Sequence, residues 1–197
     1  AGPVDGFGFC RLFPGAFPCQ GEVRGICILF GSCFLFFGAL YFVTIHQIIM
    51  QLQWTVKKFE ELTVHELYKI MQLRMEVFIV EQQCAFLDAD DNDQKAWHLC
   101  AWNEEKLVAY TRLFAPGIIY REAAIGRVVN AAEERGTGIG KALMERSILT
   151  VYQLFGRKPI KIGAQLYLKK FYESFGFLQD SDIYLEDKIE HIKMILP

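Results

Sequence analysis

The chain has 197 residues, a formal net charge of −2 at pH 7, 52% hydrophobic residues and 22% charged residues. That length suits one ordinary domain plus an additional segment. The near-neutral balance, with no basic run and no basic stripe interleaved with aromatics, argues against a nucleic-acid partner.

Charge is unevenly distributed: before residue 54 the only acidic or basic side chains are Asp5, Arg11, Glu22 and Arg24. The chain therefore divides into a hydrophobic N-terminal extension, residues 1–50, and a domain over residues 51–197. Four of the six cysteines (Cys10, Cys19, Cys27, Cys33) fall in the extension, leaving only Cys84 and Cys100 without metal-ligand spacing in the domain. A reducing cytoplasm fits that usage. Residues 25–49 contain no Asp, Glu, Lys or Arg and are long enough to cross a bilayer core of about 30 Å as a helix. Three readings stand side by side. The segment is a membrane anchor, or upstream sequence foreign to the protein with Met50 as the start, or an extra packed helix. A secretory signal is a poor match, because the run is too long, starts late and lacks a small-residue cleavage site.

From Leu52 the domain reads element by element. Leu52, Trp54 and Val56 alternate with polar residues, as in a half-buried strand. Thr63-Val-His-Glu66 is a capping-box pattern that starts a helix, with an apolar stripe of Leu67, Ile70, Met71, Val77 and Phe78. The acidic loop Asp88, Asp90, Asp91, Asp93 follows, read as solvated or as attracting a cationic acceptor. Its spacing lacks the glycine and the twelfth-position glutamate of a calcium loop, so no metal is expected. Residues 95–102 and 106–114 are two strands joined by a short loop, and 123–129 is another. A glycine-rich turn, residues 135–140, opens a helix with Ile139, Ala142, Leu143 and Leu149 on one side. Residues 159–164 form a strand, 166–175 a short helix stopped at Gly176, and 177–179 and 192–196 terminal strands. This is a mixed α/β (α+β) domain.

The turn Arg135-Gly136-Thr137-Gly138-Ile139-Gly140 sits between a strand and a helix. Glycines allow close backbone approach, and a helix N-terminus offers unpaired N–H groups with partial positive charge, which together suit a pyrophosphate. The dinucleotide fingerprint fails because position 141 is lysine, and the nucleotide P-loop fails because Arg135 takes its first glycine position and Ala142 follows Lys141. The turn instead resembles R/Q-x-x-G-x-G/A, the acetyl-CoA loop of the GNAT superfamily, matched at Arg135, Gly138 and Gly140. Ile125-Gly-Arg-Val-Val129 resembles the strand before that loop, and Phe171-Tyr-Glu-Ser-Phe-Gly-Phe177 resembles the superfamily's F-Y-x-x-x-G-F signature. Leu73–Gln82, the acidic loop, Gly163-Ala-Gln165 and His191-Ile-Lys-Met194 are similar to the ElaA-like branch. The likeness covers about 54–197. Ala131-Ala-Glu-Glu134 departs from the proline many members carry before the loop arginine.

The resemblance implies a mostly antiparallel mixed sheet flanked by helices, acetyl-CoA as cosubstrate, and direct attack of a neutral primary amine on the thioester in a ternary complex. It implies Tyr172 as the acid for the departing thiolate, against a purely packed role at an i, i+4 position with Leu168. It places backbone donors around Val128, Val129 and Asn130 at the carbonyl oxygen, residues Arg135, Gly136, Thr137, Gly138, Ile139 and Gly140 on the pyrophosphate, and Gln165 on the pantetheine arm or on Tyr172. Arg74 and Glu81 fall on the inward stripe of the first helix. They either pair with each other or with other groups, or they line the acceptor site, with Glu81 as base or ammonium anchor. His98 and His191 are satisfied core histidines or acceptor ligands. Arg112 and Arg127 bind an acceptor carboxylate or neutralise nearby acids. A small amine, a peptide N-terminus and a lysine side chain all remain open as acceptors, and a homodimer is compatible. The rival functions are a CoA-binding sensor without catalysis and a membrane-tethered acyltransferase.

Overall fold

The computed structural model describes residues 52–197; the expectations for residues 1–50 lie outside the described residues. Strand β1 (Gln53–Lys58) leads into helix α1 (Val64–Arg74), whose N-cap is Thr63. The capping box is formed on both sides: Glu66 N–H donates to Thr63 Oγ1, and Thr63 N–H donates to Glu66 Oε2. The helix does not stop at Arg74. It widens into a π-helical segment, Met75–Glu81, in which Gln82 N–H reaches the Val77 carbonyl. The wider turns shift the phase of the side chains. Val77 stays buried, whereas Glu81, inward on a regular α-helical count, comes to the surface.

Strands β2 (Trp97–Asn103), β3 (Lys106–Phe114) and β4 (Ala123–Asn130) form an antiparallel meander with β1. Helix α2 (Ile139–Phe155) crosses to β5 (Ile160–Gln165), the only parallel neighbour in the described sheet. After a 3-10 turn at Leu166–Leu168 comes the short α3 (Lys169–Glu173), then β6 (Leu178–Gln179), β7 (Tyr184–Glu186) and β8 (Ile189–Leu196). The order is β1-β2-β3-β4-β5-β8-β6, with β7 also paired to β8. The mixed, mostly antiparallel sheet flanked by helices is the expected class. Three details differ from the sequence reading: β7 is not among its elements, β8 begins three residues earlier, and the helix expected over 166–175 is a 3-10 turn followed by the five-residue α3.

The period-2 alternation of β2 divides the core between two sheet faces. Leu99 and Ala101 pack with Leu143, Met144 and Val151 of α2, whereas Cys100 and Trp102 pack with Ile70, Leu73 and Val77. On α2 the inward residues are Ile139, Leu143, Met144, Ser147, Thr150 and Val151; Leu149, expected on that side, is 55% exposed. The stripe follows the 3.6-residue period from Leu143 through Ser147 to Val151, and Leu149 falls outside it.

The feature that positions the site is the short contact between β4 and β5. Their register covers only Ala123↔Ile160 and Ala124↔Lys161, whereas β5 pairs with β8 along its whole length to Gln165. From Ile125 onward β4 has lost its neighbour on that side. Two central strands diverge and leave an open edge of backbone in the middle of the sheet.

Candidate active site

The β4 edge is reshaped by a bulge. Tyr110 faces Val129 and Arg112 faces Gly126, so Thr111 is opposed by both Arg127 and Val128. Arg127 takes φ +52° there, an unusual conformation for a non-glycine residue. Its side chain secures the position: Nε donates to Asp88 Oδ1 at 2.7 Å, and Nη2 lies 3.6 Å from Asp90.

A cleft of about 350 Å³ opens between β4 and β5. Ile125, Gly126, Arg127 and Val128 line it from β4, Ile162, Gly163 and Gln165 from β5, and Leu168 and Tyr172 from the segment that follows. The π segment adds Phe78, its C-cap adds Gln82, and the β7–β8 hairpin adds Tyr184 and His191. Tyr172 is 5% exposed, held edge-on between the rings of Phe171 and Phe177. Burial, with a smaller contribution from Tyr167, raises its pKa well above the usual phenol range. It therefore stays protonated at neutral pH, as a proton donor must.

The glycine-rich turn lies farther along the same opened strand, after Asn130 and outside the cleft lining. Gly136 and Gly138 have φ +78° and +90°, a left-handed backbone that side chains disfavour. A side chain at Gly136 would meet nothing within 4 Å, so the turn faces open space. Gly138 is the N-cap of α2 and supplies no capping side chain. The first N–H of α2 used inside the helix is that of Ala142, bonded to the Gly138 carbonyl. The preceding N–H groups are therefore not used by the helix, and no acidic residue lies in its first turn. Thr137 bonds back to the Glu134 carbonyl and holds the turn. These features fit a diphosphate.

Several expected site residues lie elsewhere. Arg74 and Glu81 pair with other groups and not with each other. Arg74 is fully buried and outside the cleft lining, with Nε on Asp88, Nη1 on Asp93 at 2.6 Å and Nη2 on the Asp88 carbonyl. Glu81 binds Arg135 instead, a consequence of the π-helical phase shift. The Glu81 carboxyl sits below the usual range, chiefly through its hydrogen bond to Arg135, and is thereby weakened as a base. His98 is a satisfied core histidine. Its Nε2 donates to the Asp93 carbonyl and its Nδ1 accepts from the Tyr110 hydroxyl at 2.7 Å, and burial lowers its pKa.

The acidic loop is not a freely solvated one. Asp88 and Asp93 are buried, and with Asp90 they neutralise Arg74, Arg112 and Arg127. Arg112 and Arg127 do reach the cleft, but with their charges already met. Gln165 lines the cleft and donates to Gln82 Oε1 at 3.1 Å. His191 also lines it. Its Nδ1 is 2.9 Å from the Ile189 carbonyl, which can only accept, so Nδ1 carries the hydrogen. In the neutral ring Nε2 is then the unprotonated nitrogen. Sequence reasoning missed Gln82, Tyr120 and Tyr184 as lining residues. They stand at a helix end, in a loop and on a three-residue strand, where no periodicity marks them.

A divergence of two central strands, a glycine turn uncapped at a helix N-terminus and a protonated tyrosine in the cleft occur together in this domain. Residues 61–197 match the family model described as "Acetyltransferase (GNAT) domain". The chain belongs to the GNAT acetyltransferase family. Within it the chain is similar to protein ElaA of Escherichia coli K12, with 37% identity over 73% of this chain and 95% of that protein. A UPF0039 protein of Schizosaccharomyces pombe is 42% identical over 74% of this chain and 97% of its own length. Among solved structures, an acyl-CoA N-acyltransferase from Pseudomonas aeruginosa superposes with a TM-score of 0.72 at 40% identity, covering 74% of this chain and 99% of that one. The E. coli ElaA structure gives 0.70 at 36% identity. This GNAT chain is an ElaA-like, acyl-CoA-dependent N-acyltransferase. Among its described residues no helix is long and apolar enough to cross a membrane.

Proposed function

We propose that the chain transfers an acetyl group from acetyl-CoA to a primary amine, by direct attack within a ternary complex. The observation that carries this reading is the opened β4 edge facing Tyr172 across one cleft. Acetyl-CoA supplies the activated thioester carbonyl, and the chain's own groups do the rest. The glycine turn and α2 N-terminus hold the diphosphate. In the stretch Val128, Val129 and Asn130, the backbone N–H groups that point to the side β5 has left donate to the carbonyl oxygen as negative charge develops on it, while the ladder turns the Val129 N–H to Tyr110 of β3. The new bond forms between the amine nitrogen and the carbonyl carbon, and the carbon–sulfur bond breaks. Tyr172 donates its phenolic proton to the departing sulfur.

The amine must first be neutral. His191 lines the same cleft, with Nδ1 held by the Ile189 carbonyl, and is assigned as the group that takes the acceptor's proton through Nε2, in place of Glu81. Arg112 and Arg127, already neutralised, give no support to an acceptor carboxylate as the main recognition element. A plain or lysine-like alkylamine suits the cleft as well as a peptide N-terminus does. The test is a screen of amines with acetyl-CoA, read by mass spectrometry for the acetylated product. Formation of an N-acetyl product with release of free thiol supports the reading. CoA binding without turnover of any amine would favour a non-catalytic sensor.

A further inference from the structure

The arginine that opens the glycine turn already has a ligand. Both terminal nitrogens of Arg135 donate to Glu81, one to each carboxylate oxygen, at 2.7 Å and 2.7 Å. The pair is at the surface, with each side chain 44% exposed. A two-oxygen acceptor in a guanidinium fork is also how a phosphate binds arginine. The next residue, Gln82, accepts from Gln165 at the end of β5. The last residue of the π segment and the one that follows it are thus tied to the loop that follows β4 and to the end of β5, the two strands whose divergence makes the cleft.

Resting on the acyl-CoA reading above, we propose that Glu81 occupies the Arg135 fork in the ligand-free chain and competes with the cofactor diphosphate for it. A ligand carrying a diphosphate displaces the carboxylate, because it brings more charge and more acceptor oxygens to the same fork. A short thioester without phosphate has nothing to exchange for it and leaves Glu81 in place. The exposed pair is easily broken, since such pairs are worth only about 0.2–1 kcal/mol. Glu81 therefore weakens the binding of CoA thioesters slightly and leaves that of phosphate-free thioesters unchanged. The same exchange releases the π segment from the β4 side of the cleft when cofactor is bound.

The test is a double-mutant cycle read as CoA affinity by calorimetry on the full chain, with Glu81→Gln, Arg135→Gln and the double variant. Both substitutions are at exposed positions. Glu81→Gln should bind CoA roughly two- to fivefold more tightly at low ionic strength, the range open to an exposed ion pair. The gain should shrink with added salt and vanish in the Arg135→Gln background. In turnover with acetyl-pantetheine, which lacks the diphosphate, Glu81→Gln should leave KM unchanged. Unchanged or weaker CoA binding by Glu81→Gln, or an equal gain with Arg135 absent, overturns the competition. Failure of the wild-type chain to bind CoA at millimolar concentration overturns the acyl-CoA reading itself, and that outcome appears in the wild-type arm alone.

Discussion

Arg74 and Asp88 are joined twice: Arg74 Nε donates to Asp88 Oδ2 at 2.7 Å, and Nη2 donates to the Asp88 backbone carbonyl at 2.8 Å. This contact fixes the acidic loop to α1, and through Asp88 Oδ1 it reaches Arg127 in the β4 bulge. A surface-looking loop is thereby made part of the wall behind the cleft.

Removal of that arginine should be among the most damaging single changes in the domain. Arg74→Ala leaves Asp88 and Asp93 buried without their common partner, and breaking a buried pair costs about 3–5 kcal/mol. The midpoint of urea denaturation should fall accordingly. Arg74→Lys keeps the charge but not the fork and should be intermediate at best. A loss under 1 kcal/mol for Arg74→Ala would show that the network contributes little to stability.

Acid should loosen the same wall through Asp90. Burial acts to raise its pKa, but the hydrogen bond and charge of Arg112, with help from Asn92 N–H and Arg127, outweigh burial and hold it well below the usual carboxylate range. A carboxyl whose folded pKa is depressed stabilises the fold above its unfolded pKa, about 3.9, and that contribution disappears as pH falls below it. Thermal melts from pH 6 down to pH 2 should show this loss. Asp90→Asn should be less stable near pH 6 and should lose less between pH 4 and pH 2. Parallel pH curves for the two proteins would contradict the assignment.

Tyr172→Phe keeps the ring between Phe171 and Phe177 and removes only the hydroxyl. If the phenol protonates the departing thiolate, kcat should drop by roughly 10²–10⁴, the range for a positioned acid. CoA affinity should barely change, because the loss falls on the transition state. A thioester of a more acidic thiol should lose less. A uniform change of only a few-fold across thioesters would leave Tyr172 a packing residue.

His191→Asn tests the proton acceptor in a complementary way. With an alkylamine, protonated at neutral pH, kcat/KM should fall by roughly 10²-fold or more. With an amine of low pKa, already neutral, the fall should be much smaller. Equal losses for both amines would mean that His191 positions the acceptor without taking its proton.

Gly138→Val addresses the cofactor turn. At φ +90° a β-branched side chain is strained by about 1–2 kcal/mol, which the domain should survive while the turn loses its shape. A native-state ligand stabilises by RT ln(1 + [L]/Kd), about 2.7 kcal/mol at a hundredfold excess over Kd. Acetyl-CoA should therefore raise the wild-type Tm and leave that of Gly138→Val unmoved. An equal shift in both would remove Gly138 from the binding turn.

Local chemistry made much of this molecule legible in one dimension. Thr63 and Glu66 announce the start of α1 because a capping box needs only residues three apart. Gly138 and Gly176 announce turns because their φ values exclude most side chains, and residues 95–102 announce a strand. The glycine turn and the Phe171–Phe177 signature point to the family for the same reason: their physics is contained in a few consecutive residues. What the tertiary structure alone decided is who pairs with whom. A regular helical count puts Arg74 and Glu81 on one face, yet the π-helical segment after Arg74 turns Glu81 outward to Arg135, 54 residues on. Asp88 and Asp93 look like a wet loop until α1, β3 and β4 bring three arginines to them. The opening between β4 and β5 leaves no mark in either strand, because a strand's residues record which faces are buried and not where its neighbour's hydrogen bonds end.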